Sequence, residues 1–301
     1  MLAPPLHPLP LYPPAMLTSR TDWTSPPRRS RLIRIALLVA TAFAALAAAG
    51  SRPAAPTARD GAPRGSTPAA PVKLVRAFYS THSAGFRHEV LPETREIFTR
   101  LGGELDWLEV TVSDDIADLT PQVMSTLDVI VLYTSGTLPM SEAQKKAFME
   151  FLERGGGVVG IHSASDTFHD WPWFVAMIGG EFDGHPWHEK VGIVLDDPRH
   201  PATRHLAEKQ ADGTTRDRFE ITDEIYQFKQ LNPERFTLMS LDTTSVTHDV
   251  DPARAYPLAW TRLAGKGRVF YTALGHRPEV WRDQRFIDHV LGGLRWAAGR
   301  E

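Results

Sequence analysis

Short apolar runs alternate with segments of helical period along most of this chain. Residues 72–78 (Val-Lys-Leu-Val-Arg-Ala-Phe) read as a first strand, which enters a polar loop at 80–87. Residues 88–101 follow with Val90, Leu91, Ile97, Phe98 and Leu101 on one side of a helix. A second strand is expected over 105–112. A third, apolar throughout, covers 128–133 (Asp-Val-Ile-Val-Leu-Tyr). Ser141 with Gln144 three positions on forms a capping-box pattern, and Ala147, Phe148 and Phe151 keep the helical period to Arg154. Gly155-Gly156-Gly157 stops that helix, and Val158 and Val159 lead a strand toward His162. Strands that alternate with helices in this way predict a doubly wound, mostly parallel sheet.

Beyond residue 180 the pattern is richer in strands, at 191–195, 219–221, 236–241, 258–262 and 268–272, before an amphipathic helix at 284–298. The fold class is therefore α/β, with strands added in the second half. No internal repeat is visible, and no linker divides 72–301, which reads as one domain.

The first seventy residues belong to another class. Residues 1–30 are rich in Pro without periodicity, and Met16 is an alternative start. Arg28-Arg29-Ser30-Arg31-Leu32-Ile33-Arg34 is basic, 35–49 carries no charge, and Ala47-Ala48-Ala49-Gly50 is a small-residue ending. That apolar run is shorter than the roughly 20 residues of a bilayer span. Residues 28–50 thus read as a secretory signal peptide, with an uncleaved membrane anchor as the alternative. The expected location is periplasmic or extracellular. Residues 51–71, made largely of Pro, Ala, Gly and Arg, read as a disordered linker.

Composition narrows the chemistry. There are no cysteines, so thiolate nucleophiles, disulfides and Cys-ligated zinc are excluded. The net charge is −3, and residues 1–50 hold five Arg against one Asp, which makes the remainder more acidic still. With no basic patch, nucleic acid is not an expected partner. Any membrane contact would come through an uncleaved N-terminal segment, and homo-oligomerisation stays open.

Histidine carries the candidate chemistry. His162, in Gly160-Ile161-His162-Ser163-Ala164, stands in a strand-to-helix turn of small residues, at the carboxyl edge where α/β sheets carry their sites. Histidine there suits a general acid/base or a metal ligand. His88 and His276 follow other strands and face the same edge. His185-Pro186-Trp187-His188, preceded by Glu181 and Asp183, pairs two imidazoles with carboxylates; this is a donor set for a divalent metal such as zinc, though the spacing matches no established zinc signature. Asp223 and Glu224 follow a strand and offer proton acceptors, or solvated turn residues. Asp166 and Asp170, beside the turn, either orient His162 or cap a helix. Trp171 and Trp187 are candidate platforms for a sugar ring, or core residues. The catalytic candidates are accordingly His162, His88, His276 and Glu224; the substrate-binding candidates are Trp187, Trp171, Asp183 and Asp223; the metal candidates are His185, His188 and Glu181. His200, His205, His248 and His289 read as structural.

These motifs together resemble the trehalose-utilisation (ThuA-like) family. The resemblance rests on Gly155 to Ala164, then Phe168-His169-Asp170-Trp171-Pro172-Trp173, Gly179 to His188, His200-Pro201-Ala202-Thr203, Thr222 to Tyr226 and Gly267 to His276, in order over nearly all of 72–301. It implies a flavodoxin-like fold of the class I glutamine amidotransferase type. Those amidotransferases carry a Gly-x-Cys-x-Gly turn, where His162 takes the Cys position and Ala164 the last Gly position here. Amidotransferase chemistry is not expected. The resemblance implies a role in bacterial carbohydrate catabolism with a small carbohydrate as partner. Two readings follow: a His-based, metal-assisted enzyme that hydrolyses, eliminates or isomerises a sugar or keto-glycoside, and a non-catalytic sugar-binding or complex-forming module.

Overall fold

A nine-stranded sheet organises the domain, and the chemistry collects at one of its edges. In this computed structural model residues 73–300, apart from 248–249, are described. The expectations for 28–50 and 51–71, and the structural reading of His248, lie outside the described residues. Among the described residues no helix is long and apolar enough to cross a membrane.

The strands are β1 (Val75–Ser80), β2 (Leu108–Ser113), β3 (Val129–Leu132), β4 (Gly157–Ile161), β5 (Trp187–Leu195), β6 (Arg218–Ile225), β7 (Phe236–Leu241), β8 (Pro257–Ala264) and β9 (Gly267–Thr272). Their order is β2-β1-β3-β4-β9-β8-β7-β5-β6. The pairings from β2 through β9 are parallel, and β8, β7, β5 and β6 continue the sheet antiparallel. The main helices are α1 (Leu91–Glu104), α2 (Glu142–Glu153), α3 (Pro172–Ile178) and α4 (Gln284–Ala297).

Local sequence accounts for these elements. β3 and β4 are buried at every position, as apolar strands covered on both faces are. The Ser141–Gln144 capping box forms in full at the start of α2. In the first helix the observed start is Leu91, with Val90 as N-cap and Pro92 in its first turn, so His88 lies in the loop before it rather than in the helix. The predicted strand 219–221 is longer than expected, and Asp223 and Glu224 lie inside β6 rather than after it. His188, expected in a loop, lies in β5.

Four successive antiparallel pairings leave β6 running the same way as β9, so its C-terminal end lies on the carboxyl edge of the parallel block. The first part of β5, Trp187 to Val191, pairs with β6 alone, whereas its last part, Ile193 to Leu195, also pairs with β7. The β5–β6 hairpin therefore has a free half. That half curls back over the edge, because Glu224 of β6 reaches within hydrogen-bonding distance of His162 after β4, although four strands separate β4 from β6 in the sheet order.

Candidate functional site at the carboxyl edge

His162 opens the turn after β4 in a left-handed conformation, φ 47°, that costs a non-glycine residue about 1–3 kcal/mol. The surroundings over-determine it. Its backbone carbonyl accepts from the Tyr271 hydroxyl at 2.6 Å, and that hydroxyl also meets Ser165 Oγ at 2.8 Å. Its ring Nδ1 lies 2.6 Å from the Ala273 carbonyl, which can only accept, so Nδ1 carries the proton. Tyr226 lies against the ring with centroids 4.2 Å apart. Gly160, two residues earlier, has to be glycine: a Cβ there would stand 2.5 Å from Ile178 Cδ1 and 2.9 Å from the Tyr271 ring. The imidazole is fully buried with Nε2 turned toward the cluster.

Glu224 is the hub. Its Oε2 lies 3.1 Å from His162 Nε2 and 3.1 Å from His276 Nδ1, and those two nitrogens are 3.3 Å apart. Its Oε1 lies 2.5 Å from His188 Nε2 and 3.2 Å from His185 Nδ1. His88 completes the inner group. Its ring centroid is 4.8 Å from that of His162 and 5.2 Å from that of His276, while its Nδ1 is buried without a hydrogen-bond partner. All five strand-end and loop histidines thus converge on one carboxylate.

The electrostatics follow from that company. Burial works against the Glu224 carboxylate, but hydrogen bonds from His162 and His276 and their charge hold its pKa well below the usual carboxylate range. Burial also opposes the His276 imidazolium, yet the Glu224 hydrogen bond and charge leave its pKa raised. His88 goes the other way. Burial, reinforced by His162 and His276, pushes it down to about 3, so it presents a neutral ring with a lone pair.

Asp223, expected to bind substrate, instead fixes a loop. It is completely buried, and its carboxylate accepts from the backbone N–H of Gly275 at 2.7 Å and of Arg277 at 3.1 Å. Burial raises its pKa, against the His162 charge and those backbone hydrogen bonds. Gly275 has φ 118°, suited to glycine, and its carbonyl accepts from Tyr133 Oη at 2.9 Å and Trp281 Nε1 at 2.8 Å. Every polar atom of that peptide is held, so His276 is delivered to the cluster from a rigid turn.

The remaining candidates sit differently from expectation. Glu181 does not join His185 and His188. Its carboxylate meets His169 Nδ1 at 2.7 Å, Lys229 Nζ at 3.0 Å and Gln230 Nε2 at 2.5 Å, while His169 Nε2 meets Asp166 at 2.7 Å. Adjacent charges satisfy it locally, and the pair ties the His162 turn to the Glu181–Phe182 strand. Asp170 accepts from Thr137 Oγ1 at 3.0 Å. Trp187 offers no open ring face: it is 1 % exposed and packs edge-on to Tyr256, as strand alternation turns it inward. Trp171 is stacked with Trp173 at 5.1 Å and lies below Lys145 Nζ at 5.5 Å. Asp183 is paired with Arg254 at 2.7 Å. Sequence reading missed Phe86, an aromatic 63 % exposed whose ring meets His88 edge-on at 4.8 Å. Its place in Gly85-Phe86-Arg87-His88, two residues before a candidate histidine, was the available signal.

The fold and this edge define an α/β protein of flavodoxin-like type with a histidine–carboxylate cluster at the carboxyl edge of its parallel strands. The family model described as trehalose utilisation (ThuA) matches residues 76–297, and the chain belongs to that family. Two solved structures of ThuA-like proteins share the fold. One, from Bacteroides uniformis ATCC 8492, is 24% identical with TM-score 0.58, over 78% of this chain and 94% of its own. The other, from Parabacteroides merdae ATCC 43184, is 20% identical with TM-score 0.56, over 76% of this chain and 91% of its own. No curated protein matches the chain.

Proposed function

We propose that this chain is an exported enzyme of carbohydrate catabolism that acts on a sugar or keto-glycoside through the Glu224 cluster, with a divalent metal such as zinc. Export is read from the signal-like segment 28–50. The observation that carries the chemistry is the single carboxylate of Glu224 met by ring nitrogens from four histidines.

The inner donor set fits a metal. Nε2 of His162, Nδ1 of His276 and Oε2 of Glu224 stand 3.1–3.3 Å from one another. Ligands at zinc-like bond lengths of about 2.0–2.1 Å on a tetrahedron are separated by roughly 3.3 Å. His162 is already fixed in the tautomer that presents Nε2, because the Ala273 carbonyl holds the Nδ1 proton, as is usual for a ligating histidine. The buried Nδ1 of His88 has no other partner. A divalent cation held at the Glu224 cluster would supply Lewis-acid polarisation of a carbonyl or hydroxyl oxygen.

The side chains contribute the rest. Asp223 and the Gly275 turn set the position of His276. His185 and His188, each half-exposed, stand between the cluster and solvent. Phe86 offers an apolar face at the rim to the C–H face of a sugar ring. Hydrolysis, elimination and isomerisation of a keto-glycoside all draw on this set.

The test is turnover of a panel of glycosides and keto-glycosides by the wild-type chain and by Glu224→Gln, which keeps the shape and removes the charge. Wild-type turnover with a loss of about 100-fold or more in the variant is expected. Carbohydrate binding by both proteins with turnover by neither would leave a binding module in its place.

A further inference from the structure

The two oxygens of Glu224 face two separate groups of imidazoles. Oε2 faces His162 and His276, with His88 beside them; Oε1 faces His188 and His185. The ligand atoms of each group lie within 4.8 Å of one another: His88, His162, His276 and Glu224 in one, His185, His188 and Glu224 in the other. We propose that Glu224 bridges two divalent cations, an inner one at His162, His276 and His88 and an outer one at His185 and His188. This rests on the metal-assisted reading above and extends it to a two-metal centre.

Hydrogen bonding accounts for the arrangement only if the buried His162 carries a positive charge. A carboxylate only accepts, so each nitrogen that faces it as a hydrogen-bond partner must carry a proton. His162 already donates its Nδ1 proton to Ala273, so a second proton on Nε2 makes it a cation. His162 Nε2 and His276 Nδ1 also face each other at 3.3 Å, where at most one proton can lie between them. Protons on all four nitrogens would use every lone pair of the carboxylate and leave His162 a buried cation. A cation on each side satisfies the lone pairs of neutral rings and gives each carboxylate oxygen one partner, as in two-metal sites whose ions stand about 3.5–4 Å apart.

Exposure separates the two positions. His162 is fully buried and the Glu224 side chain is 5 % exposed, while His185 and His188 are each 49 % exposed. The inner position takes its ligands from four chain segments, namely the loop before α1, the turn after β4, β6 and the turn after β9. The outer position takes both imidazoles from one short stretch with Pro186 between them. A buried site built from distant segments is preorganised; an exposed site with three protein ligands leaves positions for water or substrate. The inner ion is accordingly the tightly held one, and the outer ion is the exchangeable one that meets the substrate.

The experiment is calorimetric titration of the full chain, stripped with chelator, with Zn²⁺ alone, together with electron paramagnetic resonance after loading with Mn²⁺. Two ions per chain in two resolved steps, and an exchange-coupled Mn²⁺ pair, are expected. His188→Ala should remove the weaker step and the coupling while keeping the tighter ion. His185→Ala serves as a second variant should His188→Ala fail to fold, judged by circular dichroism. One ion in wild type, unchanged in both variants, overturns the bridge and leaves the single-metal reading standing. No ion bound at all overturns both.

Discussion

Two buried histidines of this domain begin alike and end differently. His289 in α4 is 1 % exposed and its Nδ1 lies 2.7 Å from the Ala202 carbonyl; His162 is fully buried with its Nδ1 2.6 Å from the Ala273 carbonyl. The contrast lies at the other nitrogen. His289 Nε2 is buried without a hydrogen-bond partner, with Phe270 and Phe286 beside the ring. His162 Nε2 faces Glu224 and His276. Burial, offset in part by the Ala202 hydrogen bond, pushes His289 down to about 3, so it stays neutral and structural. Burial of a histidine therefore says little about its use, and what stands opposite the second nitrogen says a great deal.

Replacing each ring sharpens the comparison most. His162→Ala removes an inner metal ligand and should weaken metal uptake and lower turnover by about 100-fold or more. His289→Ala should leave turnover within about twofold and cost about 2–3 kcal/mol in denaturant unfolding, from the cavity and the orphaned Ala202 carbonyl. Equal effects of the two substitutions on turnover would erase the distinction.

A smaller effect comes from the support behind the cluster. Asp223→Ala strips the buried N–H of Gly275 and the partly buried N–H of Arg277 of their acceptor. At about 1–3 kcal/mol for each unsatisfied donor, a loss of roughly 2–4 kcal/mol is expected in denaturant unfolding. Asp223→Asn should recover only part of it, since one oxygen gives way to a donor. Full stability in Asp223→Ala would remove that carboxylate from the account.

The smallest effect is the pH response of His169 and Glu181. Burial opposes the His169 charge, but hydrogen bonds to Glu181 and Asp166 prevail and raise its pKa above 6.5. Its contribution to stability is thus complete below pH 6.5 and is lost as pH rises through the raised value. Burial likewise opposes the Glu181 charge, and hydrogen bonds from His169 and Lys229 prevail and lower its pKa below 4.5; its contribution is present above 4.5 and lost as pH falls through the lowered value. The pair should act in full between pH 4.5 and 6.5. His169→Gln should flatten the fall in unfolding free energy on the alkaline side of that window, and an unchanged profile would show that the pair contributes nothing measurable.

Much of the parallel half was legible in the sequence because its determinants are local. The continuous apolar runs of β3 and β4, the Ser141–Gln144 cap and the small-residue turn at His162 each announce themselves within a few residues. His162, His88 and His276 could be placed on one edge for the same reason, since each follows a parallel strand. The curl of the β5–β6 hairpin is not local. It depends on which strand β5 pairs with at each end, and it alone brings His185, His188 and Glu224 to His162. Glu181 was grouped with His185 by closeness in sequence, yet His169 and Lys229 lie nearer in space. Trp187 was a candidate platform because an aromatic ring can stack on a sugar, but it stands at an inward position of a strand whose alternate positions are buried.

Anomalous diffraction from crystals of the chain, purified without chelator, tests the central claim most directly. A metal peak is expected within about 2.0–2.2 Å of His162 Nε2, His276 Nδ1 and Glu224 Oε2. A map with no anomalous peak there, even after zinc soaking, and with the rings hydrogen-bonded to Glu224, would contradict it.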